Sequence, residues 1–146
     1  CRELGVAFVA FSPVARGFLA GLPLQPKTFD AADFRRTMPR FEPVNWAGNT
    51  RLLPAYHAIA AEVGCTPAQL ALAWLLHQGD DIIAIPGTTR TEHLADNLAA
   101  LQVQLDSATL ARLDALINQR TVRGSRYNQQ GNLDAETESD FPENLA

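Results

Sequence analysis

The sequence is poor in cysteine, lacks an excess of basic residues, and has no long apolar run. Its only cysteines, Cys1 and Cys65, form neither a CxxC pair nor a metal-site spacing, so we expect reduced thiols, with a disulfide between them as the alternative. The 12 Lys and Arg residues against 16 Asp and Glu give a formal net charge of -4. A chain of this charge has no general attraction to nucleic acid, which we exclude as a partner.

No apolar stretch approaches the ~20 residues of a membrane helix, and no basic segment followed by an apolar one opens the chain. We therefore expect a cytoplasmic protein that has no membrane partner. The opening "CRELG" has the pattern of a last helical turn closed by Gly5. This start favours a truncated chain over a lipoprotein anchored at Cys1, because a core-like strand follows almost at once.

Two uniformly apolar stretches, "VAFVAF" (6–11) and "IIAIP" (82–86), predict strands buried on both faces of a parallel sheet. A length of 146 residues with 47% hydrophobic content fits one globular domain. Helical spacing of apolar residues predicts helices over 51–64, 66–79, 90–101 and 106–119. Strands followed by helices indicate an α/β protein, in which ligands gather at the carboxyl ends of the strands.

The strongest helix signal lies at 66–79. Thr66 is placed to cap this helix, Pro67 occupies its first position, and Gln69 completes a capping box, with Gly79 as the expected terminator. By contrast, residues 22–49 are predicted to be a long excursion, in which only "FDAADFRR" (29–36) could form a short helix. The polar end of the chain is predicted to be a loop or a disordered tail.

The segment "PGTTRTEH" (86–93) follows the second strand and could hold an anion. Gly87 allows close approach of the backbone, Thr89 with Glu92 predicts a capping box, and the helix start with Arg90 suits a phosphate. His93 lies one turn later on the same side as Arg90, and Asp96 and Asn97 continue along that face and could take hydrogen bonds from a base. The alternative is an ordinary cap beside a solvated charge, since neither GxGxxG nor a P-loop lysine is present.

The first strand ends in a similar way, at "SPVARG" (12–17). Its backbone donors, with Ser12 and Arg16, could also bind an anion, although an ordinary strand-to-loop turn is the preferred interpretation of this segment taken alone. Two such exits together favour a bound dinucleotide. No acid–base pair, nucleophile or metal spacing is apparent, and His57 and His77 are predicted to be surface or hydrogen-bonded histidines.

Three blocks resemble the C-terminal part of bacterial aldo-keto reductases, which are NADP-dependent enzymes on a (β/α)8 barrel. They are "CRELGVAFVAFSPVARGFLAG", "GCTPAQLALAWLLHQGDDIIAIPGTTRTEHLADNLAAL" and "LARLDAL". The likeness runs from Cys1 to about Leu116. It implies an α/β fold consisting of strands seven and eight of an incomplete TIM barrel with their helices, over residues 1–120, followed by a C-terminal loop or tail over 121–146.

The resemblance also implies two sets of cofactor-binding residues. The first falls where the family wraps the pyrophosphate: Ser12, Pro13, Val14, Ala15, Arg16 and Leu19. The second falls on the segment for the 2′-phosphate and adenine: Gly87, Thr88, Thr89, Arg90, His93, Asp96 and Asn97. Many relatives carry Arg or Gln where this chain has His93, so a preference for NADP over NAD rests mainly on Arg90 and Thr89.

The family's catalytic tyrosine and its partners lie in the N-terminal half, to which this chain has no counterpart. Tyr56, Tyr127 and Lys27 do not occupy matching positions, so no catalytic role is assigned. The expected function is part of an NADP-dependent reductase of small carbonyl compounds. One alternative is a non-catalytic nucleotide-binding or assembly module, paired with another copy or with a missing N-terminal half. The other alternative is a small α/β domain that is unrelated to this family.

Overall fold

The computed structural model describes residues 1–135, which fall into two compact units. The first unit comprises Cys1–Leu24 and Ala55–Ala115, and the second comprises Gln25–Pro54 with the described residues from Leu116 onward. The predicted division into a barrel portion (1–120) and a tail (121–146) stays a prediction, and the last 11 residues of that tail lie outside the described residues.

The first unit contains a two-stranded parallel sheet made of β1 (Phe8–Ala10) and β2 (Ile82–Ala84). Phe8 lies opposite Ile82 and Ala10 opposite Ala84. Both predicted strands are confirmed, although each is shorter than its apolar run. Because the strands run parallel in register, the segments that follow them leave from the same end of the sheet.

The prediction that both strands are buried on both faces is wrong for most of their side chains. Phe8 is 48% exposed, Val9 52% and Ile83 50%, whereas Ala10 is only 3% exposed. The physical reason is that the sheet has just two strands among residues 1–135, so much of its apolar surface has nothing to pack against.

Helices α2 to α5 confirm the predicted helices with shorter ends. Their bounds are Leu53–Val63, Pro67–Leu76, Thr91–Ala99 and Ser107–Leu116 for α2, α3, α4 and α5, respectively. Helix α3 packs against β2, α4 and the 3-10 turn Ala100–Gln102. It lies at the centre of the hydrophobic core of the first unit, because Leu70 and Ala73 are both 0% exposed.

The predicted capping box at the start of α3 is confirmed. The Thr66 hydroxyl accepts the Gln69 N–H at 3.1 Å, and Gln69 Oε1 accepts the Thr66 N–H at 3.0 Å. The far end differs from the prediction, since α3 ends at Leu76 with His77, not Gly79, at the C-cap. His77 is hydrogen-bonded, as predicted: Nδ1 lies 2.8 Å from the Ala73 carbonyl, and Nε2 accepts the Leu105 N–H at 3.2 Å.

The second unit contains helices α1 (Pro43–Asn49) and α6 (Gln129–Ala135), where the sequence predicted irregular structure. That prediction is wrong for these two segments. Three 3-10 turns precede α1, at Pro26–Thr28, Phe34–Thr37 and Pro39–Phe41. Pro43 at the first position of α1 was the local signal, because proline suits helix starts.

Over residues 1–135, no single helix is long and apolar enough to cross a membrane. One bent pair, Pro43–Val63 with Pro67–Leu76, meets the length and composition criteria only when taken together.

Candidate functional site

The two predicted anion-binding segments leave neighbouring strands at the same end of the sheet. Residues 12–17 follow β1, and residues 86–90 follow β2. The Ile85 N–H donates to the Ala10 carbonyl at 3.1 Å, which continues the strand pairing to the point where both segments begin. The structure therefore places at one end of the sheet two segments whose nearest residues, 17 and 86, are 69 positions apart in the sequence.

The segment after β1 holds three non-glycine residues in left-handed backbone conformations. Ser12, Ala15 and Arg16 have φ of 52°, 49° and 56°, and they are the only non-glycine residues with positive φ among those described. Such a conformation costs roughly 1–2 kcal/mol per residue, because Cβ crowds the backbone. Strain of this kind persists where the surrounding structure enforces it and is concentrated at functional sites.

Backbone hydrogen bonds hold the segment in this conformation. The Ala15 N–H donates to the Ser12 carbonyl at 2.8 Å, and the Gly17 N–H donates to the Val14 carbonyl at 3.0 Å. Pro13 and Leu19 complete the predicted set as half-buried residues, and the Leu19 N–H donates to the Val14 carbonyl at 3.2 Å.

Replacing Ala15 with glycine is expected to raise the free energy of unfolding by about 0.5 kcal/mol, because relief of the left-handed strain exceeds the entropy that glycine loses on folding. The matched control is Ala20→Gly, since Ala20 does not have a positive φ. That control is expected to lower stability by about 0.5 kcal/mol. Urea denaturation followed by circular dichroism measures both, and a loss of stability in both variants would contradict the strain.

The segment after β2 is open to solvent. A Cβ placed on Gly87 would meet no atom within 4 Å, so no protein atom covers the backbone there. The Thr88 hydroxyl accepts the Arg90 N–H at 3.2 Å and holds the segment in a turn. Thr89 is exposed beside it.

The predicted capping box of Thr89 with Glu92 is wrong. Helix α4 begins at Thr91, and Arg90 stands at the N-cap without a capping bond from its side chain. The Arg90 N–H is bonded to the Thr88 hydroxyl, and α4 begins only at Thr91. Thr89 therefore does not stand at the N-cap. The first turn of α4 therefore has no side-chain cap, and its N–H groups with the positive helix end suit an anion.

Arg90 is the nearest cation to the start of α4. Its side chain is 69% exposed, and its Nε lies 4.0 Å from Glu92 Oε2. An exposed pair at this distance contributes little, so the guanidinium can move onto a phosphate at small cost. His93, in the first turn of the helix, is also exposed.

Asp96 and Asn97 are half-buried in the second half of α4. The Asp96 carboxylate accepts the Thr66 hydroxyl at 3.1 Å and Gln69 Nε2 at 2.8 Å. It also affects the neighbouring Cys65, where burial first and then the Asp96 charge raise the pKa of the thiol. The sequence placed Asp96 beside a base but gave no sign of these bonds, because their partners are 30 and 27 residues away.

The phenol of Tyr56 is buried and hydrogen-bonded within the first unit. Tyr56 is 2% exposed, and its hydroxyl donates to the Pro67 carbonyl at 2.6 Å. Burial raises the pKa of this phenol further above its usual range. Among the described residues, no group of three or more His, Cys, Asp or Glu side chains could hold a metal ion.

Comparison with known proteins gives one family. The model of the aldo/keto reductase family matches residues 1–118. The NADP(+) aldo-keto reductase yakc of Schizosaccharomyces pombe is 42% identical over 127 residues, which are 87% of this chain and 37% of that protein. A crystal structure of a thermostable aldo-keto reductase with the inhibitor epalrestat is similar at a TM-score of 0.51 and 30% identity, over 80% of this chain and 32% of that one. The chain thus spans little more than a third of the curated relative.

Proposed function

The chain belongs to the aldo/keto reductase family, and from this premise we propose that it is the part of an NADP-dependent reductase that holds the phosphates and adenine of the cofactor. The proposed reaction of the intact protein is reduction of an aldehyde or ketone to an alcohol. When bound, NADPH supplies the hydride for such a reaction.

The observation that carries the proposal is the parallel register of β1 and β2, which brings residues 12–17 and 86–90 to one end of the sheet. In α/β sheets, ligands bind outside the carboxyl ends of the strands, and TIM barrels commonly hold phosphate after strands seven and eight. We assign β1 and β2 to those two strands, with the chain as the C-terminal portion of the barrel.

The residues present fit the phosphates of NADP. Ser12 and Arg16, on the strained backbone of residues 12–17, are proposed to bind the pyrophosphate. The uncapped start of α4, with Thr88, Thr89 and Arg90, suits the 2′-phosphate. The open space at Gly87 allows the backbone to approach the cofactor closely.

Chemistry on the carbonyl is proposed to come from residues outside these 146, so the chain by itself is proposed to be inactive. Tyr56 cannot serve as the proton donor, because its hydroxyl is buried and donates to a backbone carbonyl. The role of the chain is to bind and orient the cofactor, which fixes where the hydride can be delivered.

Replacing Arg90 with alanine is expected to weaken NADPH binding about 10-fold, because the variant loses a charged hydrogen bond to the 2′-phosphate at an exposed site. NADH lacks that phosphate, and its affinity is expected to stay unchanged. Titration of cofactor fluorescence with the protein measures both dissociation constants.

The matched control is Arg2→Ala, which removes the same charge from a side chain of similar exposure, 71% against 69%. Arg2 pairs with Asp81, which directly precedes β2, so it lies at the opposite end of the strands. Equal losses of NADPH affinity in the two variants would indicate a general charge effect and contradict a specific phosphate contact.

A second proposed function is assembly, favoured by the exposed apolar side chains of the sheet. Phe8, Val9, Ile83 and Ile85 are each about half exposed, at 48%, 52%, 50% and 49%. Open strand edges with apolar faces are ready to pair with further strands. We propose that these edges pair with another copy of the chain, or with the rest of the barrel in a longer protein.

Sedimentation of the isolated chain is expected to give a mass of at least twice 15.9 kDa at micromolar concentration. Val9→Lys combined with Ile83→Lys places charges on the sheet and is expected to restore the monomer. A monomeric mass for the unaltered chain would contradict pairing between copies.

A further inference from the structure

We propose that Asp96 is a positioning residue that fastens α4 to the N-cap of α3 and thereby fixes the direction of the first turn of α4. The fastening follows from geometry alone. Its consequence for the cofactor rests on the proposed function, because that turn carries Arg90 and His93.

Four contacts join the two helices at this point. Asp96 Oδ1 accepts from Gln69 Nε2 at 2.8 Å, and the Thr66 hydroxyl lies 3.1 Å from Oδ2 and 3.4 Å from Oδ1. The Asp96 carbonyl oxygen lies 3.3 Å from the same Gln69 Nε2. Both carboxylate oxygens and the backbone of one α4 residue are therefore bonded to the capping box of α3.

The other hydrogen bonds of Thr66 and Gln69 determine which groups in this cluster donate and which accept. The Thr66 hydroxyl accepts the Gln69 N–H, so its single proton is directed to Asp96. Gln69 Oε1 accepts the Thr66 N–H, which leaves its NH2 group as a donor. Position 96 must therefore accept at two oxygens, which a carboxylate does and an amide cannot. The charge also lies at the positive end of α3, where an anion is favourable.

Apolar packing does little to hold α4 in place. The helix has no buried residue, and Leu94 and Leu98 are 50% and 57% exposed. Its first turn also lacks a side-chain cap. The polar attachment at Asp96 is therefore expected to contribute a large part of what orients this helix.

Thr66 separates this role from direct contact between Asp96 and a base. Thr66 lies at the N-cap of α3, outside both cofactor segments. If Asp96 acts through its helix, loss of the Thr66 hydroxyl should reproduce the effect of Asp96→Asn. If Asp96 instead contacts the base, Thr66→Val should leave cofactor binding unchanged.

The first test needs no cofactor. Amide hydrogen exchange of residues 94–100 is expected to be about 10-fold faster in Thr66→Val and Asp96→Asn, which is the loss of about one net charged hydrogen bond. Thr66→Ser keeps the hydroxyl and is expected to match the unaltered chain. Asp96→Asn leaves the α3 cap intact, so a rise in exchange confined to α3, or none in α4, would overturn the proposal.

The second test measures the ratio of NADH to NADPH dissociation constants. Thr66→Val is expected to lower this ratio as Arg90→Ala does. The double variant Thr66→Val/Arg90→Ala should have the same ratio as Arg90→Ala alone, because both changes act on the same contact. A normal ratio in Thr66→Val, with Asp96→Asn weakening both cofactors equally, would overturn the positioning role. If the unaltered chain binds neither cofactor, the proposed function fails, while the exchange data still decide whether Asp96 fastens α4.

Discussion

Replacing Leu70 with alanine is expected to lower the free energy of unfolding by about 3 kcal/mol, within the range for a leucine in a core that cannot collapse. Leu70 is 0% exposed at the centre of α3. Its neighbours along the helix, Ala71 and Ala73, are 6% and 0% exposed and are too small to fill the cavity. Urea denaturation followed by helical circular dichroism gives the difference directly.

The matched control is Leu101→Ala, since Leu101 is 59% exposed. That change removes the same atoms from a surface position and is expected to cost less than about 0.5 kcal/mol. Similar losses for the two variants would mean that α3 is not the core helix of the first unit.

Replacing Asn49 with alanine is expected to destabilise the second unit by about 2 kcal/mol, because it removes two hydrogen bonds, each contributing about 1 kcal/mol. Asn49 is 4% exposed. Its Oδ1 accepts the Arg123 N–H at 2.7 Å, and its Nδ2 donates to the Arg123 carbonyl at 3.0 Å. The side chain thus bonds residue 123 through both backbone groups, as a neighbouring strand would.

Trypsin cleavage after Arg123 measures this effect, because cleavage requires local opening of the backbone. A loss of about 2 kcal/mol corresponds to roughly 30-fold faster cleavage under limiting protease. Asn45→Ala serves as the control, since Asn45 donates one bond to the Pro39 carbonyl and none to residue 123. An unchanged cleavage rate in Asn49→Ala would show that this amide does not hold the segment.

The elements of the first unit could be predicted because their signals are local. The capping box of Thr66 and Gln69 fixed the start of α3, and uniform apolar runs located β1 and β2. Helices α1 and α6 were missed because each has only seven residues within a polar and irregular stretch. Helices that short depend on tertiary contacts rather than on their own periodicity.

The candidate site was predictable in position but not in detail. Strand ends indicated both segments, yet nothing in the residue types at Ser12, Ala15 and Arg16 predicts left-handed backbone, which is usual only for glycine. Thr88 and Thr89 are adjacent and chemically alike, so the sequence could not decide which hydroxyl shapes the start of α4.

Contacts between distant segments could not be predicted from the sequence. The bonds from Thr66 and Gln69 to Asp96 join the ends of two helices, and no spacing rule links them. The prediction that both strands are buried failed for a related reason. Apolar composition states what Phe8 and Ile83 need to pack against, not whether those partners are present.

Titration of the isotopically labelled chain with NADP+, followed by amide NMR shifts, tests the central claim most directly. The account predicts the largest shifts at residues 12–17 and 87–93, with the second set reduced in Arg90→Ala. Shifts confined to other parts of the chain, or an unchanged pattern in Arg90→Ala, would contradict a cofactor phosphate held at the ends of β1 and β2.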